Sequence, residues 1–220
     1  MIKAVIFDMD GVISDTQSVH SKIESEILAR HGVDISASEI TRRYAGTLAT
    51  AFMPTLLHGK QYDLDAIISE LTYKKIELIP ETKPIEGAIE LITALSQAGY
   101  SLAVGSSSRH QYVHAILNQL KVKSLFDVIV SGDMVKTTKP APDIFLAAAA
   151  GLNVAPSEVV VIEDSIVGMT AARAAKMQCI GLSNQDILIY PTTRVVKSLV
   201  EVSPEYIGGM NSYLPNLTNR

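Results

Sequence analysis

The chain has 220 residues, a formal net charge of −4, a pI near 5.7 and a mean hydropathy of +0.23. These values predict a globular protein of one domain, or a core with a smaller insertion, and disfavour nucleic acid or an anionic membrane as the main partner. No apolar stretch approaches the ~20 residues of a membrane span, and no signal-peptide pattern precedes the first predicted strand. The single cysteine, Cys179, excludes an internal disulfide and favours the reducing cytoplasm.

The first predicted strand is a short apolar run that ends in two acidic residues. Residues 4–7 read Ala-Val-Ile-Phe, which is typical of a buried strand in a parallel sheet. Asp8 and Asp10 follow at the carboxyl edge, where open α/β sheets bind ligands, and Gly11 allows a tight turn. Two close carboxylates repel, so they need a cation or a shared proton. A polar turn after a strand would explain the same residues without any chemistry.

The next segment, from Thr16 to about Ile79, shows helical spacing of apolar residues and no convincing strand. The predicted helices cover 16–31, a stretch after Ser36 or Ser38, 51–57 and 64–78. We therefore predict an all-helical domain over residues 16–83, inserted into an α/β core domain made of residues 1–15 and 84–220.

After Pro84, strand patterns alternate with helix patterns. The predicted strands are 101–105, 126–131, 159–162 and 179–182, and the predicted helices are 87–98, 106–120, 143–151 and 163–176. Such alternation indicates βαβ units with right-handed crossovers, so we predict a Rossmann-like parallel sheet flanked by helices. The tail after about Val202 is predicted to be irregular, with no chemistry that can be assigned to it.

Polar clusters follow three of these strands, and the carboxyl ends of parallel strands meet at one edge. Ser106–Arg109 follows the second strand, the acidic pair Glu163 and Asp164 follows the fourth, and Lys139 lies in a loop close to the same edge. Helix N-termini bind phosphate oxygens, lysine supplies a positive charge, and carboxylates hold Mg²⁺. The inventory therefore indicates phosphoryl chemistry, without the glycine-rich loop of a Walker-type nucleotide site.

Each cluster also has a structural explanation when taken alone. The three serines 106–108 would serve as helix caps, and an acidic pair is ordinary at a helix start. Lys139 would be a solvated loop residue, and His20 a surface residue of the first inserted helix. The joint occurrence of these residues at successive strand ends favours function.

Together the clusters resemble the four motifs of the haloacid dehalogenase (HAD) superfamily, in the subgroup with a small helical cap after the first motif. The motifs are matched by the Asp-x-Asp pair Asp8 and Asp10, the strand-end Ser106, Lys139, and the acidic pair Glu163 and Asp164. The segments starting at Lys139 and Glu163 are similar to the β-phosphoglucomutase-like subgroup. Lys176 stands where the family usually has glycine, a departure that concerns packing and not chemistry.

The resemblance implies a two-step mechanism. Asp8 would attack phosphorus to form an aspartyl-phosphate, and Asp10 would protonate the leaving oxygen and then act as base for water. Mg²⁺ would be held by Asp8, the backbone carbonyl of Asp10 and Asp164, with Glu163 nearby or acting through water. The phosphoryl oxygens would be bound by Ser106, by the adjacent amides including that of Ser107, and by Lys139.

The helical insertion would be the cap, closing over the substrate, with Thr16 near its hinge. Mutases of the subgroup carry a cap arginine for the distal phosphate, in a segment matched here by residues 45–49, where Leu48 and Ala49 stand instead. His20 and Lys75 do match cap positions of the mutase. The cap residues expected to contact substrate are His20, Arg43 and Lys75, with Arg42 and His58 as further candidates.

The expected function is a Mg²⁺-dependent phosphatase acting on a small phosphorylated metabolite such as a sugar phosphate. The alternative is a phosphomutase that interconverts hexose 1- and 6-phosphates. A receiver-like phosphoacceptor module is disfavoured because an acceptor needs neither a leaving-group acid nor a lid, and a dehalogenase because Asp10 and the acidic pair favour phosphate. We expect a cytoplasmic monomer or weak homo-oligomer.

Overall fold

The sheet at the centre of the protein is fully parallel. A computed structural model of the chain describes residues 1–183, 190–192 and 194–210. Its strands are β1 (Ala4–Phe7), β2 (Ser101–Gly105), β3 (Val128–Val130), β4 (Val159–Glu163), β5 (Gln178–Leu182) and β6 (Arg194–Val196). They lie in the order β3-β2-β1-β4-β5-β6, and each neighbouring pair runs parallel.

Helices cover both faces of this sheet. The α-helices of the described residues are α1 (Gln17–Arg30), α2 (Ala37–Tyr44), α3 (Ala49–Leu56), α4 (Leu64–Glu77), α5 (Ala88–Gln97), α6 (His110–Gln119), α7 (Asp143–Gly151), α8 (Ile166–Ala174) and α9 (Pro204–Gly208). None of them is long and apolar enough to cross a lipid bilayer.

The alternation of side chains along β1 explains the two layers of helices. Val5 and Phe7 pack into an apolar cluster with α5 and α6 on one face, whereas Ala4 and Ile6 pack into a second cluster with α7 and α8 on the other. Successive strand residues point to opposite faces, and both faces of β1 are buried, so the strand is a continuous apolar run. The predicted α/β class, a parallel sheet flanked by helices, is confirmed.

The strand order places the ends of β1 and β4 side by side. From β1 the chain proceeds outward through β2 and β3, and it then returns to β4 and continues outward on the other side. Phe7, the last residue of β1, is in register with Ile162 of β4. Such a reversal of strand order opens a crevice at the carboxyl edge of a parallel sheet, which is where the acidic residues lie.

Helices α1–α4 lie between β1 and α5 and have an apolar cluster of their own. The two connections to the sheet run together, since the Asp15 amide donates to the Lys83 carbonyl (2.9 Å) and the Ile85 amide to the Ile13 carbonyl (3.0 Å). The division into a core and an inserted domain with boundaries at 15–16 and 83–84 stays a prediction that this arrangement supports.

The structure differs from the sequence-based prediction mainly at short elements. Strand β6 was not predicted, β3 is shorter than the predicted 126–131, and helices α6 and α8 begin a few residues later than predicted. The described part of the tail contains α9, and both Ile207 and Met210 are buried against the sheet cluster, so the prediction of an irregular tail was wrong there. Residues 211–220 of the predicted core lie outside the described residues.

Candidate active site

A buried lysine joins two carboxylates at the ends of β1 and β4. Asp8 follows the last residue of β1, and Glu163 is the last residue of β4. The Lys139 ammonium donates to Asp8 Oδ1 (2.6 Å) and to Glu163 Oε1 (2.8 Å), with the three side chains at most 6% exposed. Burial alone would lower the pKa of Lys139, but the charges of Asp8 and Glu163 outweigh it and raise that pKa above its usual range. Lys139 is therefore a permanent positive charge in this crevice.

The second oxygen of Glu163 is also occupied. Glu163 Oε2 accepts hydrogen bonds from the Ser165 amide (2.6 Å) and the Ser165 hydroxyl (2.9 Å), while that hydroxyl accepts from the Gly168 amide at the start of α8 (3.0 Å). Because both of its oxygens are engaged, Glu163 is held rigidly and orients Lys139. Ser165, which was not predicted as a site residue, therefore both caps helix α8 and fixes a carboxylate of the site.

The donor set formed by Asp8, Glu163 and Asp164 fits a divalent cation. One carboxylate oxygen of each lies within 4.8 Å of the others. Burial and the neighbouring carboxylate Glu163 raise the pKa of Asp164 well above its usual range, and burial, only partly offset by Lys139, raises the pKa of Asp8 to about 7. The charge of Lys139 therefore does not fully compensate the three carboxylates. Their oxygen atoms are the ligands that Mg²⁺ prefers.

Gly11 leaves the space that Asp164 needs. Its φ is +89°, and a Cβ at this position would lie 2.2 Å from Asp164 Oδ2. Any larger residue would displace the Asp164 carboxylate. The glycine after the Asp-x-Asp pair thus supports both the turn and the acidic cluster.

Asp10 is held by hydroxyl groups on both of its oxygens. The Thr16 hydroxyl donates to Asp10 Oδ1, the Ser108 hydroxyl donates to Asp10 Oδ2 (2.8 Å), and His20 Nδ1 lies 3.7 Å from Oδ1. Hydroxyl groups can donate or accept, so the same partners can serve an ionised and a protonated Asp10. This arrangement fits a group that gives up and takes back a proton.

The loop after β2 lies on the opposite side of the crevice. Ser106 is buried, and its hydroxyl accepts from the Ser108 amide (3.1 Å), which fixes the loop. The Ser107 hydroxyl donates to the Gly46 carbonyl of the helical insertion (3.0 Å), so it contacts the insertion as well as lining the cavity. Ser108 and Arg109 also line it, although the prediction had included neither as a site residue. Their position directly after the predicted Ser106 and Ser107 was the available signal.

These groups open into a cavity of about 120 Å³ between the sheet edge and the helical insertion. Asp8, Asp10, Ser106–Arg109 and Tyr112 line it from the core, and α1, α4, Tyr44 and residues 46–50 line it from the insertion. His20 and Lys75 both line this cavity, and their expected contact with substrate stays a prediction. Thr16 contacts it indirectly, through Asp10.

Arg43 is not brought to the cavity. Its guanidinium pairs with Glu39 on the same helix (3.1 Å) and packs over the Tyr44 ring, with nearly half of the side chain exposed. Arg42 also faces Glu39, and His58 is exposed outside the lining. The expected substrate contact from Arg43 stays a prediction, and this placement does not support it, because both arginines of α2 lie beside Glu39 and outside the cavity lining.

Two polar pairs complete the wall of the cavity. His20 Nε2 is 2.7 Å from the Tyr112 hydroxyl, and burial together with nearby Lys75 lowers the pKa of His20 to about 3. Lys75 donates to Glu24 Oε1 (3.2 Å), a contact between α4 and α1. Burial raises the pKa of Glu24, although Lys75 opposes this. Tyr112 and Glu24 were not predicted as site residues, since each lies at an ordinary helical core position in the sequence.

The crevice has the features of an enzyme site suited to phosphate esters. It combines a carboxylate beside a fixed lysine, a second oriented carboxylate, an acidic cluster that could hold a metal ion, and a hydroxyl-rich loop. Comparisons with known proteins agree. The sequence pattern of the family described as haloacid dehalogenase-like hydrolase matches residues 5–182. The chain belongs to this hydrolase family, and the predicted family and enzyme class are confirmed.

Individual relatives match over different extents. Fructose-1-phosphate phosphatase of Escherichia coli strain K12 is 34% identical over 181 residues, which are 80% of this chain and 94% of that protein. The chloroplastic protein SUPPRESSOR OF QUENCHING 1 of Arabidopsis thaliana is 36% identical over 190 residues, 82% of this chain but 18% of its own length. The crystal structure of β-phosphoglucomutase from Clostridium difficile superposes with a TM-score of 0.86 at 29% identity, covering 95% of this chain and 96% of that one.

Proposed function

We propose that the protein is a Mg²⁺-dependent phosphatase that hydrolyses a small phosphorylated metabolite through a phosphorylated Asp8. The observation that carries this proposal is the position of Asp8, which lines the cavity while Lys139 binds its Oδ1 at 2.6 Å and Asp10 follows two residues later. A buried carboxylate next to a fixed ammonium is an oriented nucleophile. It needs an acid for the leaving group, and Asp10 is the proposed acid.

In the first step, an oxygen of Asp8 forms a bond to phosphorus while the bond from phosphorus to the ester oxygen breaks. Asp10, in its protonated form, gives its proton to that leaving oxygen, so the alcohol departs neutral. Ser106, Ser107 and the amides of their loop, with Lys139, stabilise the charge on the phosphoryl oxygens.

In the second step, water attacks the phosphorus of the aspartyl-phosphate. Asp10, now ionised, takes a proton from that water, and the bond between phosphorus and the Asp8 oxygen breaks. Inorganic phosphate leaves, and Asp8 and the protonated Asp10 are restored. The Thr16 and Ser108 hydroxyls, which can donate or accept, keep Asp10 in place through both proton transfers.

Mg²⁺ would be held by Asp8, Asp164 and the backbone carbonyl of Asp10, with Glu163 nearby. When bound, it supplies positive charge that lets the phosphate approach the Asp8 carboxylate. The raised pKa values of Asp8 and Asp164 and the space left by Gly11 support this assignment.

The helical segment 16–83 would act as a cap domain on the core of residues 1–15 and 84–220. It supplies His20, Glu24 and Lys75 to the cavity wall and touches the core loop through Gly46 and Ser107. A cap in this position excludes bulk water from the phosphoryl group and selects the leaving group. Lys75 and His20 are the cap residues proposed to contact substrate.

A sugar phosphate is the proposed substrate class. The names of several relatives support it, among them hexitol phosphatase B and fructose-1-phosphate phosphatase of Escherichia coli. Hydroxyl and amine groups from Thr47, Thr72 and Lys75 in the cavity wall offer partners for sugar hydroxyls. The buried Cys179 supports a reducing compartment such as the cytoplasm.

A phosphomutase is the second candidate, because one cation of the lining remains exposed at the cavity mouth. Arg109 lies there, next to α4, and could anchor a distal phosphate. Against this candidate, Leu48 and Ala49 line the cavity where the related mutases carry their cap arginine. Hydrolysis is therefore the preferred function.

The test is release of phosphate from a panel of sugar and small-metabolite monophosphates, with Mg²⁺ and with chelator. We expect release that requires Mg²⁺ and falls at least about a thousandfold in Asp8→Asn. The matched control is Asp34→Asn, since Asp34 is exposed in the helical insertion. Isomerisation of hexose 1-phosphates with little release would favour the mutase, and release unaffected by Asp8→Asn would refute the proposal.

A further inference from the structure

The side chain of Lys75 is the only ammonium that the described part of the helical insertion contributes to the cavity lining, and it is paired. Its Nζ lies 3.2 Å from Glu24 Oε1, and the two side chains are 17% and 8% exposed. Glu24 and Lys75 are 51 residues apart and join α1 to α4 across the cavity wall. The pair is therefore a largely buried ion pair within the cavity wall and not a flexible surface contact.

The remaining lining from the insertion carries no formal charge. It combines apolar groups with hydroxyls and a buried, neutral imidazole at His20. These residues are Gln17, His20, Tyr44, Gly46, Thr47, Leu48, Ala49, Thr50, Ile68, Leu71 and Thr72. The charges of Glu24 and Lys75 cancel, so this half of the cavity is neutral as a whole.

A second phosphate on the substrate would meet an unfavourable environment here. Lys139 is already bound by Asp8 and Glu163, and Lys75 is bound by Glu24. A distal phosphate placed near Lys75 would also lie near the Glu24 carboxylate, and like charges repel strongly where water is excluded. Arg109 is exposed at the mouth, where solvent and salt weaken its attraction.

A neutral hydroxylated group would fit the same pair well. Glu24 can accept a hydrogen bond from a hydroxyl, and Lys75 can donate one to a hydroxyl oxygen, without breaking the contact between them. Such paired donors and acceptors discriminate strongly against ligands that leave one of them unsatisfied.

We propose that the Glu24–Lys75 pair determines specificity, selecting monophosphates whose leaving group carries hydroxyls and rejecting those with a second phosphate. This inference rests on the proposed phosphatase function and narrows its substrate class to polyhydroxylated monophosphates without a distal anion. Glu24 acts on binding of the leaving group and takes no part in the bond changes at phosphorus.

The experiment compares kcat/KM for each monophosphate that the panel identifies with kcat/KM for the bisphosphate that shares its scissile phosphate, for example fructose 1-phosphate and fructose 1,6-bisphosphate. The variant Glu24→Gln keeps the shape of the side chain but removes its negative charge, so Lys75 becomes available to bind a distal phosphate. We expect the preference for the monophosphate to fall by about tenfold or more, chiefly through a lower KM for the bisphosphate.

Two variants serve as controls. Glu26→Gln removes an exposed carboxylate from the same helix, one that lies 3.7 Å from Lys74, and it should leave the preference unchanged. The double variant Glu24→Gln/Lys75→Gln removes the freed ammonium as well, so the gain with bisphosphates should disappear. Circular dichroism and thermal melting check that each variant is folded.

If Glu24→Gln does not fold, Lys75→Gln tests the pair from the other side, because it removes the donor to substrate hydroxyls without freeing an ammonium. The value of kcat/KM should then fall for the monophosphate and should not rise for the bisphosphate. The inference is overturned if the preference is unchanged in the folded Glu24 variant or changes equally in Glu26→Gln. Failure of the proposed function would be seen separately, as absence of Mg²⁺-dependent phosphate release from any monophosphate by the wild-type protein.

Discussion

Two buried carboxylates, Asp8 and Glu163, both lie within hydrogen-bond distance of the Lys139 ammonium. Breaking such a group is strongly destabilising, yet its formation adds little net stability because each charge loses its hydration. Burial keeps the pKa of Asp8 raised to about 7 even beside Lys139. The arrangement is better explained by chemistry at Asp8 than by folding, since an apolar cluster would stabilise the sheet edge more simply.

His20 gives a prediction for the pH dependence of stability. Its pKa is lowered from 6.5 to about 3 in the folded protein, so between these values the unfolded chain binds a proton that the folded chain does not. The contribution of His20 to the free energy of unfolding is therefore greatest above about pH 6.5 and decreases as the pH falls. Between pH 7 and pH 5 the loss should be about 1–2 kcal/mol.

The measurement is urea unfolding of wild type and His20→Gln at several pH values, taking the difference between them so that other titrating groups cancel. The difference should shrink toward pH 5 by the amount stated above. His58→Gln is the control, since His58 is exposed and should leave the pH profile of stability as it is. A His20→Gln profile parallel to that of wild type would contradict the assignment.

At the scale of elements, the sequence predicted well wherever pattern and chemistry coincide. Strands β1, β2 and β4 are apolar runs followed by polar clusters, and each was predicted within a residue of its observed bounds. The proximity of Asp8 and Glu163 was expected from the parallel order, because strand ends meet at one edge, whereas the contacts that Lys139 makes with both were not predicted.

The elements that were missed lack a strong local signal. Strand β6 has three residues, and α9 has five, so neither offers a periodicity to detect. Helix α9 forms because Ser203 caps it, accepting from the Tyr206 amide, and because Ile207 is buried in the core cluster. That burial depends on tertiary packing, which a single sequence does not display.

Cap residues were harder still to predict. Arg43 and Lys75 are both basic residues of inserted helices, but only Lys75 faces the cavity. Which face of α2 or α4 turns toward the sheet depends on how four helices pack. Glu24, the partner of Lys75, lies 51 residues earlier in the chain, so no local motif could predict their contact.

The turn after β1 gives a prediction about metal binding. Gly11→Ala places a Cβ 2.2 Å from Asp164 Oδ2, so Asp164 must move, and the affinity for Mg²⁺ should fall about tenfold or more. Gly59→Ala is the matched control, because it has a similar φ of +76° with nothing within 4 Å of its Cβ. Both variants share a backbone strain of about 1 kcal/mol.

Mg²⁺ titration followed by thermal shift separates the two effects. Ligand binding stabilises the folded state by RT ln(1 + c/Kd) at a free ligand concentration c, so the comparison is made at Mg²⁺ concentrations near the wild-type Kd. There Gly59→Ala should retain the Mg²⁺-dependent shift in melting temperature and Gly11→Ala should lose most of it. Equal shifts in the two variants would place the metal somewhere other than beside Asp164.

In the whole molecule, one close contact between the helical insertion and the core lies beside the cavity. Gly46 has φ +77°, and a Cβ there would lie 2.5 Å from the Ser165 hydroxyl, while its carbonyl accepts from Ser107. Ser165 in turn binds Glu163, so the insertion rests directly on the residues of the site. The close approach of the insertion to Ser165 thus depends on the absence of a side chain at residue 46.

Gly46→Ala should therefore loosen the insertion from the core. We expect KM for the substrate to rise about tenfold, with faster hydrogen exchange in residues 47–50. Gly32→Ala, in the same insertion, has φ +72° and meets only the flexible Lys60 ammonium at 3.3 Å, so its KM should stay close to that of wild type. A matching rise in KM for both variants would show that general destabilisation is the cause.

The stereochemical outcome at phosphorus tests the role of Asp8 most directly. Hydrolysis of a substrate made chiral with three oxygen isotopes shows whether the configuration is retained or inverted, and it does not require the intermediate to accumulate. Two successive in-line displacements, first by Asp8 and then by water, predict retention. Inversion would mean that water attacks the substrate directly, and it would contradict the assignment of Asp8 as the nucleophile.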